Sequence, residues 1–225
     1  MAAVNRARTT YYRNTLPWGD SGERVLTVDN YLDTVAEMDQ CRIQFEAAVN
    51  TFVDQDTYAR FMMDGKQLLG DMWDIREYPN FSELRRKFAY DFAIMPMPQA
   101  EDFRCDIGDD EVAGIRQDIE KRVESASRAA FSDCFSRLFD AVQNMATKLN
   151  DPDARVHSAT LENVKQLTQL LPKLNFYGDP DLTAAIEDAR QLVTMPVEIV
   201  RENIEIRKAQ GQKAQVLADR VKGWL

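Results

Sequence analysis

The stretch that decides the fold is DDEVAGIRQDIEKRVESASRAAFSDCFSRLFDAVQNMATKL, residues 109–149. Its apolar side chains recur at three- and four-residue steps: Val112, Ile115, Ile119, Val123, Ala126, Ala130, Phe131, Cys134, Leu138, Val142, Met145 and Leu149. That spacing places them on one stripe of a helix about forty residues long. Asn150-Asp151-Pro152 ends it. A helix of this length exceeds what one small core needs, so it is expected to pack on a second long helix and to offer its excess as an oligomer surface.

The second long helix is expected from Asp29, a candidate N-cap, through Leu32, Val35, Ala36, Cys41, Phe45, Ala48, Val49 and Phe52 to residue 55 or 64. A shorter helical piece follows over about 65–75. At Phe88, Tyr90, Phe92 and Ile94 the apolar period drops from 3.6 to 2, which predicts a strand. A loop with Pro96 and Pro98 leads to Phe103, Cys105 and Ile107, so a small β-hairpin is expected over about 88–107. Two further helices are expected at about 158–171 and 180–193. Thr194-Met195-Pro196 then reads as the start of a last, basic helix.

The fold class expected is therefore mainly α: long antiparallel helices, one β-hairpin and a basic C-terminal helix. The first 27 residues show turn punctuation (Pro17, Gly19, Asp20, Ser21, Gly22) without a sustained period, and read as an extended arm with a tight turn. The expected organisation is an arm at 1–27, a helical body at 28–193 and the C-terminal helix at 194–225.

At 225 residues and 44 % hydrophobic, the chain can bury a core unaided by disulfides or metals. Cys41, Cys105 and Cys134 are too widely spaced for a zinc set or a disulfide framework, which suits a reducing cytoplasm. No stretch is apolar enough for a membrane span, and no signal-peptide core follows the N-terminus, so neither secretion nor membrane insertion is expected.

Chemical routes close one by one. His157 is the only histidine and sits at a helix entrance, which leaves little material for a catalytic triad or a Cys-His metal site. The nine glycines form no phosphate-cradling loop. Asp106, Asp109, Asp110 and Glu111 could be read as a divalent-metal site, but their spacing does not match a calcium loop, and acids in a first helical turn complement the helix dipole. Cys134 lies on the apolar stripe and reads as core. The expectation is a non-enzymatic binder without cofactor or metal.

Net charge is −9 with a pI near 4.8, which taken alone argues against nucleic acid. The distribution argues otherwise. Residues 29–64 hold eight acids against Arg42 and Arg60, a local charge of −6, whereas the first nineteen residues carry Arg6, Arg8 and Arg13 with no acid. Residues 207–225 carry Arg207, Lys208, Lys213, Arg220 and Lys222 against Asp219 alone.

In the arm, Arg6, Arg8, Tyr11, Tyr12 and Arg13 interleave cations with aromatics, the combination used for single strands: guanidinium groups follow phosphates while rings stack on bases. Arg85, Arg86 and Lys87 run into Phe88 and Tyr90 in the same way, although a solvated basic cap on an ordinary core face has the same sequence. The cations of the C-terminal helix either neutralise phosphates or oppose the acidic body across an oligomer interface.

LPWGDSGERVL at 16–26 and MPMPQAEDFRCDIGDDEVAGIRQDI at 95–119 carry a resemblance over roughly residues 11–150. Across it the chain resembles a phage-encoded family without enzymatic assignment, the single-stranded-DNA-binding RNA polymerase cofactor (Drc) family of lytic Pseudomonas phages that package a virion RNA polymerase. The resemblance implies a largely helical fold unlike an OB barrel and a preference for single over double strands. It also implies a place in the host cytoplasm beside a phage RNA polymerase at early promoters; it assigns no individual binding residue. Single-stranded DNA, a phage RNA polymerase and further copies of the chain are the partners expected. A different class of reading is a helical scaffold or accessory subunit of a phage ATPase or polymerase, docking through the 109–149 helix.

Overall fold

The computed structural model describes residues 1–18, 22–96 and 109–225, with side chains in the last stretch from residue 112 onward. It is mainly α, as expected. The helices are α1 (Ala2–Asn14), α2 (Val28–Phe52), α3 (Gln55–Leu69), α4 (Phe81–Leu84), α5 (Asp109–Asn150), α6 (Ser158–Leu174), α7 (Pro180–Leu192), α8 (Val197–Glu202) and α9 (Ile204–Lys222). Among the described residues none is long and apolar enough to cross a membrane. The chain divides into two compact units interleaved in sequence: Met1–Tyr12 with Leu32–Met97, and Arg13–Tyr31 with Pro98–Leu225.

The second unit holds the main hydrophobic core, and α5 is its spine. The C-terminal half of the expected stripe is fully inside: Ala130, Cys134, Leu138, Val142, Met145 and Leu149 are all buried. α9 runs antiparallel beside it, with Arg207 at Leu149, Gln215 at Gln143 and Trp224 against Phe135. α6 and α7 add Leu161, Val164, Leu171, Leu182, Ile186 and Ala189 to the same core. Their ends fall within a few residues of expectation. Asp179 starts α7 by accepting from the Leu182 amide at 2.7 Å.

The short strands β1 (Leu16–Pro17) and β2 (Arg24–Val25) pair antiparallel, with Leu16 opposite Val25. This hairpin closes the turn expected at LPWGDSG; Gly19, Asp20 and Ser21 lie outside the described residues. Arg24 donates to Thr15 Oγ1 and to the Thr15 carbonyl, both at 2.8 Å. Arg137 of α5 donates to the Arg13 carbonyl at 2.6 Å and the Thr15 carbonyl at 2.7 Å, and Asp133 holds that guanidinium at 2.7 Å. Thr27 bonds the Lys173 carbonyl at 2.6 Å. A two-residue ladder is too short to hold itself, so these side-chain bonds fix it.

Several expectations are corrected. The arm is not extended over 1–27, because residues 2–14 form α1. The covered face of α1 is mixed: Thr10 and Asn14 are buried, while Ala3, Val4, Ala7 and Tyr11 on the same face are only half-buried, which leaves a weak hydrophobic period. The second long helix breaks after Phe52, where Asp54 takes extended geometry and accepts from the amide and the hydroxyl of Thr57, both at 3.1 Å. These bonds hold the Asp54 carboxyl below the usual carboxylate range. The piece expected at 65–75 is the end of α3 followed by a 3-10 turn, with Gly70 at φ +53 making the left-handed step that ends the helix.

The expected strand at 88–94 makes no ladder among the described residues, and the rest of the expected hairpin, including Cys105, lies outside them. Its alternation is real, since Phe88, Tyr90 and Phe92 are half-buried while Ala89, Asp91 and Ala93 are exposed. They face helices. Tyr90 donates its hydroxyl to the Met38 carbonyl at 3.0 Å, and Phe88 meets Phe52 at 5.8 Å. The last helix is also broken: Pro196 caps the six-residue α8, and Asn203 caps α9 through the amides of Glu205 and Ile206.

Candidate nucleic-acid interface

The first unit is built around aromatic rings. At its centre Tyr58 of α3 is buried, and its hydroxyl donates to the Pro79 carbonyl at 2.9 Å. Burial pushes that phenol above its ordinary pKa. Phe52, the last residue of α2, makes edge-to-face contacts with Tyr58 at 5.8 Å, Phe61 at 5.3 Å and Phe88 at 5.8 Å. Phe61 continues to Tyr78 at 6.3 Å, and Tyr78 to Trp73 at 5.7 Å. Lys66 places its ammonium 5.4 Å from the Trp73 ring centre. Gly65 makes this approach possible, since a Cβ there would stand 3.0 Å from the Tyr78 hydroxyl.

Each such ring contact contributes about 0.5–1.5 kcal/mol beyond area burial, enough to hold the rings as a preformed surface. Phe61 is 48 % exposed, so part of that surface is open.

Arg85, Arg86 and Lys87 stand at one end of this chain of rings. α4 stops at Leu84, whose side chain is buried, and the next three residues form a 3-10 turn with all three cations exposed. The backbone then extends at Phe88, which enters the aromatic cluster. The turn thus joins three cations to six rings.

The remaining cations separate by environment. On α1, Arg6 and Arg8 are exposed in the same unit, and Tyr12, one turn beyond Arg8, shares its exposed face. Tyr11 is half-buried and lies edge-on to Tyr12 at 5.4 Å. Arg13 is exposed in the last turn and belongs to the second unit. Lys208, Lys213 and Lys222 are exposed on α9, also in the second unit.

Arg207 and Arg220 do not present free guanidinium groups. Arg207 is half-buried and donates to the carbonyls of Leu149 at 3.1 Å, Lys148 at 3.0 Å and Ala154 at 2.8 Å, and also to that of Asp151. It closes the C-terminus of α5, so its donors are spent within the protein. Arg220 pairs with Asp188 of α7 and lies over Trp224 at 5.7 Å.

The sequence pattern missed Phe52, Phe61, Trp73, Tyr78 and Lys66. With the helix end left open between 55 and 64, the sharp turn that brings Phe52 back onto Tyr58 and Phe61 was not marked, although the nearer end lies within three residues of the observed one. The helix-start pattern Asp54-Gln55-Asp56-Thr57 was the available signal.

His157 is exposed at the N-cap of α6, and Cys134 is buried in the core, where burial pushes its thiol up to about 12. Asp106 and the carboxylates of Asp109, Asp110 and Glu111 lie outside the described residues. Among the described residues no cluster of His, Cys, Asp or Glu could hold a metal ion.

Fold and site together define a mainly α chain whose first unit carries cations beside a partly open aromatic surface. No protein-family model, curated protein or solved structure matches it.

Proposed function

We propose that the chain is a non-enzymatic single-stranded-DNA-binding protein that acts as a cofactor of a phage RNA polymerase in early transcription. The observation that carries the DNA-binding part is the continuity of Arg85, Arg86 and Lys87 with the aromatic cluster through Phe88. Cations at that turn follow the phosphates, and the open part of the cluster at Phe61 takes a base face, which is worth about 1–3 kcal/mol per stacked base. Arg6, Arg8 and Tyr12 form a second cationic strip on the same unit, and Tyr11 and Arg13 flank it. Lys208, Lys213 and Lys222 of the second unit add further positive charge. The polymerase and the early promoter rest on the resemblance of residues 16–26 and 95–119.

Titrating fluorescein-labelled oligo-dT and a matched duplex, followed by anisotropy between about 50 and 200 mM salt, tests the reading. The expected result is tight binding of the single strand that weakens with salt and a much lower affinity for duplex. Equal affinity for both, or none for either, removes it.

The accessory-subunit reading has one observation of its own, the exposure of Leu68 (86 %) and of Met72 in the first unit. Recovery of polymerase or ATPase subunits from infected cells after nuclease treatment, by a chain without oligonucleotide affinity, selects that reading.

A further inference from the structure

The second unit leaves a cleft of about 490 Å3 between α7 and α9. Leu192 and Leu217 line it, and Val216 stands 71 % exposed on α9, an aliphatic side chain that the fold does not cover. Asp188 and Arg220 pair across the cleft, so their charges offset each other. Lys213 lines it with no ion pair among the described residues, which leaves the cleft net positive on a chain of charge −9. Gln210, also in the lining, is only 4 % exposed; its Oε1 has no hydrogen-bond partner among the described residues, while its Nε2 reaches only the Met195 sulfur at 3.6 Å. A buried amide oxygen without a donor is unfavourable, so a group that brings an N–H or O–H to it gains more than the bond alone.

No aromatic side chain lines this cleft, so bases have nothing to stack on there. An aliphatic floor, an unpaired cation and an unmet acceptor fit a different occupant. We infer that the cleft is a docking groove for an acidic peptide segment of a partner protein, seated through one Trp or Tyr side chain. The ring lies on Val216 and the edges of Leu192 and Leu217, its N–H or O–H meets Gln210 Oε1 once that amide turns toward the cleft, and flanking carboxylates meet Lys213. Charge alone would also draw such a segment to Arg85, Arg86 and Lys87; the unmet Gln210 acceptor and the aliphatic lining are what distinguish this groove.

The test uses the full chain and a fluorescein-labelled peptide of about twelve Asp and Glu residues with one central Trp, read by anisotropy. Saturable binding is expected, weakened about tenfold by Lys213→Glu, by Val216→Asp and by replacing the peptide's Trp with Ala. Both protein positions are exposed, so circular dichroism should stay unchanged; Val216→Asp, at a position with no part in the proposed DNA surface, should also leave oligo-dT affinity unchanged. Three results overturn the inference: no saturable peptide binding, indifference to both substitutions, or displacement of the peptide by oligo-dT with matching loss of oligo-dT affinity in Val216→Asp. The last would give the cleft to nucleic acid. Loss of oligo-dT binding alone would remove the proposed function and leave the groove standing.

Discussion

Arg207 and Arg85 look alike in sequence, each a cation beside a second cation in a basic stretch, yet their surroundings give them opposite work. Arg85 is exposed at a turn, whereas Arg207 is half-buried and spends its donors on the carbonyls that end α5. Its partners lie far back along the chain, so no local pattern could announce them. Arg207→Ala should lower stability by about 1.5–3 kcal/mol, the range for bonds made by a charged donor, and leave oligo-dT affinity within about twofold. A urea titration and an anisotropy titration on the same preparation check both halves. Cys134 was legible, because its place on the apolar stripe already made it a core residue. Burial pushes its thiol from an ordinary 9.0 up to about 12. The folded state therefore holds this proton where the unfolded state releases it; the contribution is intact below pH 9 and is lost as pH rises toward 12. Native protein at about pH 8 should resist iodoacetamide at Cys134, and Cys134→Ala should reduce the loss of stability on raising pH from 9 to 11.

At the scale of elements, what could be read followed from which groups each helix buries. α5 announced itself because its apolar stripe runs unbroken from Val112 to Leu149. α1 did not, since its fully buried residues are the polar Thr10 and Asn14, and the apolar ones on that face, Ala3, Val4, Ala7 and Tyr11, are small or only half-buried. The 88–94 segment shows a subtler failure: period-2 alternation reports an extended backbone with one covered face, and here helical side chains provide the cover in place of a neighbouring strand. Capping residues mark the remaining breaks, Asp54 before α3 and Asn203 before α9. The tightest helix contact rests on a glycine. A Cβ on Gly211 would press into the Asn150 side chain and stand 3.2 Å from the Asn150 backbone nitrogen, while the Asn150 amide donates to the Gly211 carbonyl at 3.3 Å. Gly211→Ala should force α9 away from α5 and lower the urea midpoint by the equivalent of about 1–3 kcal/mol, even though alanine favours an isolated helix. A midpoint that rises instead would show that helix propensity outweighs the close approach.

For the whole molecule, the organisation in space could not be read along the chain, because each unit is assembled from two separated segments. Arg6, Arg8, Arg85, Arg86 and Lys87 belong to one unit, while the cations of α9 belong to the other, whereas the sequence offers them as a single basic set. That separation gives the DNA-binding proposal its sharpest test. Neutralising Arg85, Arg86 and Lys87 together as alanines removes three phosphate contacts, and for single strands the slope of log affinity against log salt should flatten by about 2. Affinity should fall alike for oligo-dT and for mixed sequences, since phosphates carry no sequence information. Stability should hold, because all three side chains are exposed. Neutralising Lys208, Lys213 and Lys222 in parallel should change the slope by much less, since the rings near them, Phe131, Phe135 and Trp224, are packed against the core, whereas Phe61 is open. Phe61→Ala should lower affinity with the slope unchanged, as stacking releases no counterions. If the two triple variants flatten the slope equally, the strand crosses both units and the aromatic surface is not what places it.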